Sequence, residues 1–501
     1  MRFGSKSDVM VRPLALIIGG NIFGKIVGLA REVLFAAFFG TTSVAGSYRV
    51  AQTATLVPIN FVTGDSLTAA FIPLYIRYKQ QHPTKARILF KTILAGFGIV
   101  ALAIWAVLSE SAGRWIGLLA PGLSGASAIL AADLLRVLAL SVPFYTLTMV
   151  FASVEVAEGR YLLVSLRSTV QSLGLILGTI GAYYAHNPIL LAWGFTCSYA
   201  SLSIAGLVLA VKRGWLNRAW SLSIALDVLR DFWRNVRPLI ALPILLQGNI
   251  ALERAVASLL GIAVVSALDY AKFIGETGIQ FMAYPLGLIG LSTLSGLSPV
   301  TVRNYLDRAL PVVTLISVMV STFVGIHASE IVAIVYQRGR FDAESSQVTA
   351  AVLSGIGLGL WAQIIGYLFI RVLNAGLRNT EVMRHMGWAL LANGAVNVIC
   401  SRVMGPFALG LGNAVYGAVV MLLAARTLGV TERLRHSLKQ VLPGVAGYLG
   451  LAAFLPEVGS ALDRLVIAGL AYLTYWSLYI ISVKPLRTTV WVLIRGRGCG
   501  E

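Results

Sequence analysis

Residues 19–40 read GGNIFGKIVGLAREVLFAAFFG, and the reading of this stretch decides the fold. It lies within an apolar run long enough to cross a bilayer, for which about 20 residues are needed. Yet Lys25, Arg31 and Glu32 stand inside it. On a helix, Lys25 lies about 18 Å past Pro13 and Arg31 about 14 Å short of Gly40. A charge at a helix centre costs roughly 2.5–3.5 kcal/mol on insertion scales, so several such groups must face protein or a hydrated cavity rather than lipid.

Composition sets the same frame. Of 501 residues, 57% are hydrophobic and 12% charged, with a mean hydropathy of +0.81. A soluble chain carries about 25% charged residues. About fourteen apolar segments of spanning length, from 13–40 to 464–483, predict an all-α polytopic membrane protein. Residues 1–12 are polar and lead into a run too long for the core of a cleavable signal, so none is expected. The net charge of +19 reads as basic loops meeting anionic membrane lipids, not as a nucleic-acid surface.

The loops test the span count. With the N-terminus inside, the cytoplasmic connections hold Arg77, Lys79, Lys85, Arg87 and Lys91, then Lys212, Arg213, Arg230, Arg234 and Arg237. The opposite loops hold Arg114, Arg338, Arg340, Arg402 and Arg464. This is the asymmetry of the positive-inside rule, which places both termini in the cytoplasm.

An internal repeat organises the chain. LLAPGLSGASAILAADLLRV and IVYQRGRFDAESSQVTAAVL each lead into a long apolar span, and those spans end in EVAEGRYLL and VLNAGLRNT. Gly122 and Gly339 are 217 residues apart, as are Gly159 and Gly376. The repeat predicts two six-helix lobes related by a pseudo-two-fold axis along the membrane normal, followed by two C-terminal helices. The expected divisions are 1–212 for the N-terminal lobe, 213–237 for an interfacial linker helix, 238–430 for the C-terminal lobe, and 431–501 for the last helix pair and basic tail. In the linker, Trp220, Leu222, Ile224, Leu226, Val228, Leu229 and Trp233 are expected to form one apolar face with basic residues on the other, so that part of it reads as an interfacial helix.

The deep cations Lys25, Arg31, Arg49, Arg254 and Lys272 all fall in spans 1, 2, 7 and 8, the leading pair of each lobe. Any one of them, such as Lys25 with Glu32 or Glu253 with Arg254, could be a structural ion pair. As a group they predict a cationic cavity suited to a phosphate or diphosphate held by guanidinium forks. Glu32, Asp65, Glu253, Asp269 and Glu276 are the acids nearest them in sequence, candidates for binding a coupling proton or Na⁺. Arg136, Glu155, Arg167, Glu330, Arg371 and Arg384 are expected to snorkel to an interface.

Other chemistries find no footing. GGNIFGKI has the glycine and lysine spacing of a phosphate-binding loop, but Ile26 stands where Ser or Thr would bind Mg²⁺. The five histidines are scattered, and Cys197, Cys400 and Cys499 have no metal-ligand spacing. Neither catalysis nor a cofactor is indicated.

GKIVGLAREVLFAAFFG, LLAPGLSGASAILAADLLRVLALSVPF, ERAVASLLG, SALDYAKF, YPLGLIGLSTLSGLSP and QRGRFDAESS…LNAGLRNT together resemble the MviN/MurJ-type lipid II flippases. These belong to the multidrug/oligosaccharidyl-lipid/polysaccharide exporter superfamily. The resemblance implies 14 helices and alternating access in the bacterial inner membrane. It also implies a central cationic cavity for a polyprenyl-diphosphate-linked saccharide, with a glycan polymerase or synthase as a possible partner. Lys25 and Arg31 fall at the family's basic first-helix positions, Arg31 matching the arginine of a GLVRD-like motif with Glu32 in place of its acid. The chain departs from the pattern at Gly46, where the family has an acid, and at Ile59 and Asn60, which replace an arginine pair. Lys272 stands one position early in a YADR-like motif. An exopolysaccharide flippase is the alternative; a drug/cation antiporter or a membrane-embedded glycan ligase fits the basic spans and short outer loops less well.

Overall fold

A computed structural model describes residues 24–216, 220–294, 299–456 and 458–494; side chains at 65–66, 281–294, 299–300, 302–304, 489–490 and 492–494 fall outside that description. Helices are the regular secondary structure among the described residues, and each of the fourteen segments read from the sequence is mostly helical where described. Among the described residues, eight helices, or ten if each of two bent pairs is one span, are long and apolar enough to cross a membrane. Several of the remaining segments carry polar or charged residues, as the helix Asn379–Met404 does with Arg384, Asn393 and Asn397.

The chain forms two compact units: residues 1–265 with 338–340, and residues 266–337 with 341–501. The first contains α1 (24–39), α2 (Ser43–Thr63), α3 (Asp65–Gln81), α4 (Pro83–Glu110), α5 (Ala112–Leu119) and α6 (Gly125–Ala139). It continues with α7 (Ser141–Ala157), α8 (Leu162–Tyr184), α9 (Ile189–Lys212), α10 (Leu222–Val236) and α11 (Ala241–Leu260). Here α2 packs on α6, α4 on α7, and α9 on α6, α7 and α8, while α11 lies against α2.

Most of α12 (Ile262–Leu294) belongs to the second unit, with α13 (Pro299–Ile326), α14 (Ala328–Tyr336), α15 (Ala343–Ala375) and α16 (Asn379–Met404). The unit is completed by α17 (Phe407–Leu428), α18 (Thr431–Ala452), α19 (Ala461–Ser482) and α20 (Lys484–Ile494). Within it, α15 packs on α17 and α13, α16 on α17, and α18 on α13. Asp342 caps α15 by accepting the Ser345 N–H at 2.8 Å, and that bond holds its carboxyl below the ordinary aspartate range.

Lipid tails give helices no hydrophobic reason to associate, so close approach through small residues decides the packing. A Cβ added at Gly359 of α15 would lie 2.2 Å from the Ala414 Cα of α17. One added at Gly96 of α4 would meet nothing within 4 Å. Gly359→Leu is therefore expected to destabilise the second unit by about 1–3 kcal/mol through overpacking. Gly96→Leu should be neutral or slightly stabilising, because a helical glycine is replaced in open space. Thermal unfolding of the two variants in detergent checks this, and equal midpoints would refute it.

One pole of the first unit is tied by side chains. Glu155, expected to snorkel, is instead wholly buried. It accepts the Leu163 N–H at 2.7 Å and Arg213 Nη1 at 3.3 Å. The α7–α8 turn folds the start of α8 onto this carboxylate, so it has no path to solvent. Beside it, Lys79 meets Glu158 at 3.2 Å, and the Tyr78 hydroxyl donates to Asp231 of α10 at 2.5 Å.

Candidate anion site

The first two helices form a hairpin. Gly40 turns the chain with φ of +54°, and the Thr42 hydroxyl donates to the Phe39 carbonyl at 2.7 Å. Glu32 and Arg49 stand at similar distances from this turn, roughly 12 Å along each helix, so antiparallel packing sets them opposite each other. Glu32, only 3% exposed, joins both arms. Its Oε1 accepts Arg31 Nη2 at 2.6 Å and Nε at 3.2 Å. Its Oε2 accepts Arg49 Nη2. The Arg49 guanidinium also lies 4.8 Å from the centre of the Phe35 ring, a cation–π contact.

Leu175 and Thr179 of α8 and Leu191 of α9 close over this network. With Arg31, Glu32, Phe35, Tyr48 and Arg49 they enclose a pocket with room for roughly one water. Tyr48 is 2% exposed, and among the described residues its hydroxyl has no hydrogen-bond partner. Two guanidiniums against one carboxylate leave an excess positive charge. Arg31, with 19% of its side chain exposed against 9% for Arg49, is the more accessible of the two cations.

The other expected site residues have separate surroundings. Lys25 is exposed, one residue past Gly24, where an added Cβ would lie 2.4 Å from Ser168 Oγ. α1 thus packs closely on α8 at Gly24. Glu253 and Arg254 are buried in α11, and Arg254 Nη1 donates to the Val265 carbonyl at 2.9 Å. In the second unit, Asp269 and Lys272 are half-buried and Glu276 is exposed. The Asp65 side chain lies outside the described residues. Three of the ten expected residues, Arg31, Glu32 and Arg49, thus meet in one described network.

The sequence reading missed Tyr48, Thr179 and Phe35. Tyr48 adjoins Arg49, and its position on the same hairpin arm could have revealed it; nothing in the sequence pointed to Thr179. At Gly46 an added Cβ would lie 2.3 Å from the Ile262 side chain and 2.7 Å from its carbonyl oxygen. Close packing therefore leaves no room for an acid there. Among the described residues no cluster of His, Cys, Asp and Glu could hold a metal ion.

The folded chain resembles solved transporters. One, titled as the lipid II flippase MurJ in an inward closed conformation, has a TM-score of 0.80 at 20% identity, covering 93% of this chain and 98% of that one. An inward-facing MATE-family multidrug transporter of the MOP superfamily follows with a TM-score of 0.66 at 13% identity, covering 83% and 96%. The fold is the one these multi-pass membrane transporters share.

The family is narrower. A model described as lipid II flippase MurJ matches residues 35–458, and the chain belongs to that family. A probable lipid II flippase MurJ from Synechocystis is 27% identical over 407 residues, covering 74% of this chain and 73% of that relative. The lipid II flippase MurJ of Burkholderia cenocepacia is 25% identical over 490 residues, covering 92% and 90%.

Proposed function

We propose that this chain translocates an undecaprenyl-diphosphate-linked saccharide of the lipid II type from the cytoplasmic to the outer leaflet of a bacterial inner membrane. The carrying observation is the family match over residues 35–458. The buried, net-positive Arg31–Glu32–Arg49 network in the leading helix pair supports a diphosphate as the recognised group. In this reading the cargo diphosphate engages Arg31, with Lys25, Arg254 and Lys272 contributing along an alternating-access path while the polyprenyl tail stays in lipid. Glu32 and the other acids organise the cations or bind a coupling ion, and both termini face the cytoplasm. Departures at Gly46, Ile59 and Asn60 favour one second reading, a lipid-linked exopolysaccharide unit as cargo.

The test is replacement of the resident lipid II flippase in a bacterial host by this chain, with surface-exposed lipid II as the readout. Restored exposure is expected. Arg31→Ala should lower it roughly 10–100-fold, the worth of a charge-assisted hydrogen bond of about 1.5–3 kcal/mol. Normal membrane insertion without restored exposure would overturn the lipid II assignment and leave the exopolysaccharide reading. Transport unchanged after collapse of the membrane potential and ion gradients would discard ion coupling.

A further inference from the structure

The linker helix α10 carries two apolar stripes, and the fold uses one. Ala225, Val228, Phe232 and Val236 are buried. They join a core with Phe71, Phe90, Phe151 and Trp215. The Phe232 ring lies 6.1 Å from Phe97 of α4, and the Tyr78–Asp231 bond fixes the rotation of α10 about its own axis. At about 100° per residue, the second stripe lies about 85° round the helix from the first. It consists of Leu222, Leu226, Leu229 and Trp233, all exposed, with Leu226 at 60% and Trp233 at 58%.

Charge is ordered around the same axis. Exposed Arg230, Arg234 and Arg237 follow about 75° beyond the open apolar stripe. Asp227 and Asp231 come next, and Asp231 turns back to Tyr78. The circuit therefore runs protein, open apolar stripe, arginines, acids. That order suits a helix lying at a bilayer surface, its apolar stripe toward acyl chains and its cations at the phosphate level. The direction of the chain agrees, since the segment containing α10 bends by 53° from the apolar helix α11. Two exposed tryptophans, Trp220 and Trp233, suit the same layer.

We propose that α10 is a docking surface for an anionic phospholipid leaflet: Leu222, Leu226, Leu229 and Trp233 enter the acyl boundary while Arg230, Arg234 and Arg237 bind lipid phosphates. A soluble protein partner would gain little from an apolar stripe that adjoins the body of a membrane protein. Positive charge along the outer edge of the stripe selects an anionic leaflet over a zwitterionic one. The assignment does not depend on the transported cargo.

The test uses the full chain with Cys197, Cys400 and Cys499 replaced by alanine. In vesicles of phosphatidylglycerol and phosphatidylcholine, a spin label at Leu226→Cys should be accessible to oxygen and shielded from a water-soluble nickel chelate. A label at Asp227→Cys should show the reverse. Titration of the detergent-solubilised protein with short-chain phosphatidylglycerol gives the second arm. The triple variant Arg230→Gln, Arg234→Gln, Arg237→Gln should bind it roughly 100-fold more weakly, at roughly fivefold per arginine. Weak phosphatidylcholine binding should not change. A Leu226 label open to nickel, a label shielded from both reagents by a second chain, or unchanged phosphatidylglycerol affinity in the triple variant would each overturn the proposal.

Discussion

Glu32→Ala is expected to destabilise the first unit by about 3–5 kcal/mol, the cost of removing one partner from a buried ion network. Glu32 is the only acid in the described network, and it bonds guanidiniums from two different helices. Its removal takes from Arg49, 8% exposed, the carboxylate its guanidinium donates to. Two neighbouring cations then repel across a site with little water to screen them. Arg49→Met in the same background should recover a large part of the loss, because it deletes a buried charge that has lost this carboxylate and keeps an apolar stem of similar reach. The measurement is a double-mutant comparison of thermal unfolding in detergent. If Glu32→Ala melted with the parent chain, the network would be a surface pairing without structural weight. Transport separates the roles: Glu32→Ala,Arg49→Met should stay folded but translocate poorly, because Arg31 is no longer held in place.

That network was partly legible beforehand, and the reason is geometric. Ionisable residues inside an apolar run must turn inward, so Arg31, Glu32 and Arg49 stood out from cost alone. Their meeting follows from Gly40, which places Glu32 and Arg49 at matching depths on the two arms of a hairpin. Lys25 stands seven residues before Glu32, about two helical turns away on the same face, yet it is exposed while Glu32 is buried. Periodicity gives a face; which stretch of that face is covered depends on α8 and α9. Glu155 shows the converse. Its place near a helix end suggested escape to the interface, and only the fold brings Arg213 and the Leu163 N–H to it. The helices were readable from hydropathy because backbone groups in lipid must be satisfied within each segment. The small-residue contacts between them were not, since a glycine's partner lies on another helix.

Valine at Gly122 or at Gly339 is expected to reduce transport about tenfold or more, and the internal repeat explains why the two should act alike. These glycines occupy equivalent places before α6 and α15, 217 residues apart. Each presses on the last turn of the other repeat's leading helix, and all four segments belong to the first unit. An added Cβ at Gly122 would lie 2.0 Å from the Ser258 carbonyl oxygen of α11, and the Gly122 N–H donates to Ser258 Oγ at 3.1 Å. An added Cβ at Gly339 would lie 2.2 Å from the Ala37 carbonyl oxygen of α1. The neighbouring Arg340 N–H donates to that same oxygen at 2.8 Å. Gly339 also has φ of +60°, which any side chain strains. Overpacking of about 1–3 kcal/mol against backbone that cannot yield would shift the populations on either side of these contacts by roughly 5–150-fold. If transport proceeds by alternating access, the contacts must also part in each cycle. A disulfide between Ala37→Cys and Arg340→Cys should therefore stop transport, and reductant should restore it. Full transport by the oxidised, cross-linked protein would show that this seam stays shut throughout the cycle.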